Sequence, residues 1–112
     1  MTKGGALPRT TLQIMLALTQ GPLHGYGIKL DVEGRTDGAV KLGSGTLYEA
    51  IQRLLDNGWI VEVEQPEGYD ASGGPARRFY DLTDEGRQAL RNEVESMQEI
   101  VEFARVHFFA RR

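Results

Sequence analysis

Apolar residues stand at Leu90, Val94, Met97, Val101, Ala104 and Phe108, at spacings of 4, 3, 4, 3 and 4. Such a seam fits an α-helix that lays one face against another helix, and it fits no strand, whose period is 2. The spacing predicts a helix from Asp84 to Ala110, about 40 Å long at about 1.5 Å per residue. Thr83 reads as its N-cap, and Asp84 and Glu85 suit its positive end. In a chain of 112 residues with 40% hydrophobic residues, a seam of this length needs a cover. Packing on its own domain is one cover, but a partner chain fits better, since a small domain gains stability by dimerising. Leu90, Val94, Met97, Val101, Ala104 and Phe108 are the expected dimerisation residues.

The rest of the chain has room for one small domain. Residues 1–7 read as a loose arm, and Pro8 suits the first turn of a helix. Leu12, Met15, Leu16 and Leu18 predict an amphipathic helix over Thr10–Gln20, ended by Gly21-Pro22. Over residues 24–34, Tyr26, Ile28, Leu30 and Val32 alternate among three glycines. Helix and strand both fit that pattern, and helix is the expectation. Ser44 reads as the N-cap of a further helix with an inner stripe at Leu47, Ile51, Leu54 and Leu55, closed by Asn57-Gly58. Its outer face carries Thr46, Glu49, Gln52 and Arg53. Trp59–Glu64 and Arg77–Leu82 read as two strands of a hairpin. Residues 65–76 between them are rich in turn formers.

Composition removes several functions. There is no cysteine, which excludes disulfides, thiol nucleophiles and cysteine-based metal sites. The two histidines, His24 and His107, lie far apart outside any metal-binding motif, so neither a metal nor a cofactor is expected. Gly25-x-Gly27 and Gly43-x-Gly45 lack the third glycine or the Gly-Lys-Ser/Thr of phosphate loops and read as helix boundaries. No Ser–His–Asp set is evident, and an enzyme built on His24 is the weakest reading. No apolar run approaches the roughly 20 residues that span a bilayer. A cytoplasmic protein without membrane contact is expected.

Three short helices, a hairpin and a long helix form the order of a winged helix-turn-helix. The expected fold is therefore mainly α with a β-hairpin: a DNA-binding domain over residues 1–82 and a dimerisation helix over residues 83–112. The helix opening at Gly43-Ser44-Gly45-Thr46 would enter the major groove by its N-terminal end. Ser44 and Thr46 would donate to phosphate or a base edge, with Gln52 and Arg53 further along.

Four segments carry a more specific likeness: Gly21-Pro22-Leu23-His24-Gly25-Tyr26-Gly27-Ile28, Gly45–Leu54, Asn57-Gly58-Trp59-Ile60 and Arg77–Gly86. In this order, over roughly residues 8–88, the chain resembles the PadR family of transcriptional regulators. Its length resembles the short subfamily with a single C-terminal dimerisation helix. The resemblance implies a homodimeric, usually repressing bacterial regulator that binds a double-stranded, inverted-repeat operator and responds to a small molecule or stress. It places Tyr26, Thr46 and Tyr48 at or beside the DNA backbone, with Arg78 in the wing strand and Arg77 beside it. Glu49 stands where the family often has proline. Short members can also hold flat aromatic compounds between subunits, which makes Met97, Ile100 and Phe103 candidates for an effector site.

One observation speaks for a different function, a winged-helix adaptor that binds protein instead of DNA. The formal charge is −3, where nucleic-acid binders usually carry a basic excess. Divided along the chain, residues 1–58 carry net +1, residues 59–83 net −3 and residues 84–112 net −1. The acid excess lies in the wing, so the recognition helix escapes the objection and the wing does not. If the wing meets DNA, it is expected to do so through Arg77 and Arg78, with its carboxylates turned away.

Overall fold

The computed structural model describes residues 7–69 and 77–110. The expected N-terminal arm, apart from Leu7, and most of the wing tip lie outside them. Helix α1 (Arg9–Ala17) continues as a 3-10 turn, Leu18–Gln20. Pro8 sits one residue before the helix as its N-cap. Then follow β1 (Leu23–His24), α2 (Gly25–Arg35), α3 (Ser44–Asp56), β2 (Ile60–Val63), β3 (Phe79–Leu82) and α4 (Asp84–Ala104). A π-helical turn, Arg105–Phe109, extends α4. No helix among the described residues is long and apolar enough to cross a membrane.

The alternation in residues 24–34 resolves into two faces of one helix. Ile28 and Val32, four residues apart, are fully buried, whereas Tyr26 and Leu30 are half exposed. A strand would have put all four on one side, and packing of Ile28 and Val32 against the core selects the helix. Arg35 ties α2 to α1: its guanidinium donates to Gln13 Oε1 at 2.9 Å and to the Gln13 carbonyl at 3.1 Å. Glu33 ties α2 to the loop before α3, accepting from Lys29 Nζ at 2.9 Å and from the Leu42 amide at 3.2 Å. These bonds hold the Glu33 carboxyl below its ordinary pKa.

The α3 stripe at Leu47, Ile51 and Leu54 is buried as expected, while Leu55 is only partly so. The cap moves by one residue. Gly43 is the N-cap, without a side-chain bond, and Ser44 is the first helical residue with its side chain exposed. At the other end Gly58 has φ +76°, and the Trp59 amide donates to the Leu54 carbonyl at 3.0 Å. This left-handed turn aims the chain from α3 into β2.

The sheet has three strands instead of the expected two, in the order β1-β3-β2, all antiparallel. Leu23 pairs with Tyr80 and His24 with Phe79 on one side of β3; Ile60 pairs with Leu82 and Val63 with Phe79 on the other. Both expected strands are shorter than their sequence windows. Arg77 and Arg78 precede β3 and do not belong to it, which corrects the placement of Arg78 in the wing strand.

Thr83 caps α4 as expected, accepting from the Gly86 amide at 3.0 Å, and its hydroxyl also donates to the Gly58 carbonyl at 2.6 Å. The first two turns of α4 belong to the domain core. Leu90 is only 6% exposed and packs in the same cluster as Ile14, Met15 and Leu54. Its heptad position predicts a dimerisation residue, but its own protomer already covers it. Beyond it the seam emerges: Val94, Met97, Val101 and Phe108 are exposed and Ala104 is half-buried.

Candidate nucleic-acid interface

Two local features bring α3, α2 and the base of the wing to one place. The first is Gly25, the opening residue of α2. A β-carbon there would lie 2.5 Å from Tyr48 Oη, so the absence of a side chain lets the Tyr48 phenol reach the start of α2. The second is the pairing of β1 with β3, which carries His24 to Phe79 and leaves Arg77 and Arg78 just before it. The result is a cleft of about 230 Å³ lined by His24, Gly25, Tyr48, Arg77, Arg78 and Tyr80.

Its chemistry suits an anion. Two guanidinium groups and the phenols of Tyr48 and Tyr80 share it with the positive end of an 11-residue helix. Tyr80 is buried, and burial, followed by the Glu62 carboxylate, raises its pKa against the opposing effect of Arg78, so the phenol stays a neutral donor. His24 is shifted down, first by burial and then by Arg77.

The remaining α3 residues, Ser44, Thr46, Gln52 and Arg53, are all exposed, and so are Tyr26 and Tyr48 at about half of their surface. Gln52 Nε2 donates to Asp56 Oδ1 at 3.0 Å on the helix surface. Glu49 is exposed beside Tyr48 in sequence. The wing's carboxylates are not all turned away: Glu62 Oε2 lies 4.0 Å from Arg78 Nε, with both side chains largely exposed. Such a pair contributes little to stability and leaves Arg78 able to exchange partners.

The candidate effector residues Met97, Ile100 and Phe103 are exposed at 38%, 66% and 66% on the free part of α4. The cleft also takes in His24, Gly25 and Tyr80, which the sequence does not single out for it. The signal was faint, because a strand of two residues cannot be read from periodicity.

A sequence profile of the Transcriptional regulator PadR-like family matches residues 14–92, about seven-tenths of the chain. The chain belongs to the PadR-like family of transcriptional regulators. That is a family of regulators, not enzymes, which sets aside the catalytic reading of His24. Among solved structures, a PadR family transcription regulator of Clostridium difficile R20291 is 26% identical with a TM-score of 0.70, covering 88% of this chain and 96% of the other. Bacillus subtilis PadR in complex with operator DNA shares the fold at a TM-score of 0.64 and 23% identity, over 78% of this chain and 47% of the other. An uncharacterised 37.1 kDa protein of transposon TN4556 from Streptomyces fradiae is 37% identical over 84 residues. That match takes in 75% of this chain but only 21% of the transposon protein.

Proposed function

We propose that this PadR-like regulator binds an inverted-repeat DNA operator as a homodimer and represses transcription from it. The observation that carries the reading is the cleft in which Tyr48 of α3, the start of α2 and the two wing arginines converge. In this reading the N-terminal half of α3 enters the major groove, with Ser44, Thr46, Gln52 and Arg53 toward the bases and phosphates. Tyr26, Tyr48, Arg77 and Arg78 hold the backbone on either side. Phosphate contacts fix orientation without reading sequence, and Arg77 and Arg78 give the cleft local positive charge within an acidic wing.

The dimer would form through the free part of α4. Val94, Met97, Val101 and Phe108 offer an apolar face that no element of the same protomer covers among the described residues. Pairing two such faces would also bring two copies of Met97, Ile100 and Phe103 together, the setting for a flat aromatic effector. The operator of a family regulator is sought in the promoter of its own operon. A gel shift with that duplex should show specific binding whose log affinity falls linearly with log salt. Absence of binding at low salt to any neighbouring promoter would defeat the reading. An adaptor would instead hold a protein partner that a competing oligonucleotide fails to displace.

A further inference from the structure

His24 joins three elements whose relative placement sets the interface. Its ring nitrogen Nδ1 accepts the Gly27 amide at 3.0 Å and so caps α2. The ring meets Phe79 of β3 edge-on, with centroids 5.2 Å apart, and Tyr69 of the wing at 5.5 Å; Tyr69 and Phe79 in turn touch at 5.0 Å. On its other side His24 borders the cleft that holds Tyr48 and Arg77.

A ring nitrogen that accepts an N–H bond carries no proton, so the seated ring is neutral. Protonation turns both nitrogens into donors. Nδ1–H would then point at the Gly27 N–H, and a cation would stand at the positive end of α2. Turning the ring over about its Cβ–Cγ bond would relieve that clash only by taking Nδ1 away from the Gly27 amide, and swinging it out of its plane would break the contacts with Tyr69 and Phe79. Neither arrangement of a charged ring keeps both the cap and the aromatic cluster.

We propose that His24 is a proton-sensitive joint: neutral, it holds the base of the wing and the start of α2 against Tyr48, and protonated, it releases them and weakens operator binding. The proposal rests on the operator-binding reading for its effect on DNA, but not for the joint itself. The groups facing the ring agree with it. Arg77 adds positive charge, Tyr48 and Tyr80 line the cleft, Tyr69 meets the ring edge-on, and Arg78 faces Glu62. Burial and Arg77 both favour the neutral ring. A DNA phosphate in the cleft would pull the other way, toward the imidazolium, and this makes the sign of the pH effect decisive.

The test measures affinity for the operator duplex at fixed salt from about pH 8 to about pH 5, a window that reaches below the ordinary imidazole pKa because His24 is shifted down. The wild-type protein should lose about fivefold or more, while His24→Asn, which can cap without titrating, should change by less than about twofold. His107 and every carboxylate remain in both proteins, so their contributions cancel. Equal pH profiles, or tighter wild-type binding in acid, would overturn the proposal. A second measurement needs no DNA. Amide hydrogen exchange at Gly27 in the free wild-type protein should lose protection as the His24 ring titrates. Unchanged protection would refute the joint whether or not His24→Asn folds. If no duplex binds at any pH, the operator-binding reading fails, and the Gly27 amide still decides the joint.

Discussion

Gly86 lies so close to the backbone carbonyl of Trp59 that a β-carbon at position 86 would overlap it. Beside this contact, the Thr83 hydroxyl bonds the Gly58 carbonyl and the Thr83 amide donates to the Trp59 carbonyl at 3.1 Å. The start of α4 is therefore fastened to the α3–β2 turn by two hydrogen bonds of Thr83 and by a backbone contact of Gly86 with no room to shift. Gly86→Ala should destabilise the protein by about 2–3 kcal/mol, because the obstruction is backbone and cannot swing aside. Thermal unfolding followed by circular dichroism measures it, and a Tm within about 2 °C of wild type would show that the contact yields.

The same steric argument gives a different outcome at Gly25. There the obstructing atom is Tyr48 Oη, the far end of a movable side chain. Gly25→Ala should leave most of the stability and displace the Tyr48 phenol from the start of α2. Operator affinity should then fall about as far as in Tyr48→Ala, and the two changes together should cost little more than either alone. Additive losses in the double mutant would separate Tyr48 from Gly25.

Within the wing, Glu62 and Arg78 form an exposed pair at 4.0 Å. If Arg78 meets phosphate, Glu62 competes for it. Glu62→Gln should tighten operator binding about twofold to threefold, while Arg78→Ala, which removes one contact from each protomer of the dimer, weakens it and lowers the salt slope by about 2. Binding unchanged in both would remove the wing from the interface.

How much of this was legible in the sequence depends on the length of the pattern. The α3 stripe and the α4 seam repeat often enough for the helical period to stand out, and Thr83 caps α4 where capping chemistry puts it. The stretch from Tyr26 to Val32 was ambiguous, because alternation is also what two faces of a glycine-rich helix produce over seven residues. β1, with two residues, has no period, so the third strand and the role of His24 emerge only from the tertiary pairing with Phe79. Leu90 shows the opposite error: heptad position gives the face of a helix, but not which neighbour covers it.

His24 also makes stability depend on pH in a definite direction. Its pKa in the folded protein lies below the ordinary 6.5, so the unfolded chain binds more protons between the two values. Its stabilising contribution is complete above the unfolded value and is lost as pH falls through the folded one. Urea midpoints of the wild type should therefore decline from about pH 7 to about pH 5 more steeply than those of His24→Asn. Parallel curves would mean that folding leaves the imidazole pKa unchanged.

The two parts of the α4 seam should respond to substitution in different ways. Leu90 is covered by its own domain, so Leu90→Ala should cost about 2–4 kcal/mol of folding stability at any protein concentration. Val101 is 43% exposed on the free part of the helix, so Val101→Asp should leave the protomer core intact and place a carboxylate in the proposed interface between copies. Sedimentation should give a dimer for the wild type at micromolar concentration and a monomer for Val101→Asp. Operator affinity should fall with the dimer, because each protomer alone reaches only one half-site. A Val101→Asp protein that still sediments as a dimer would move the interface elsewhere on the molecule.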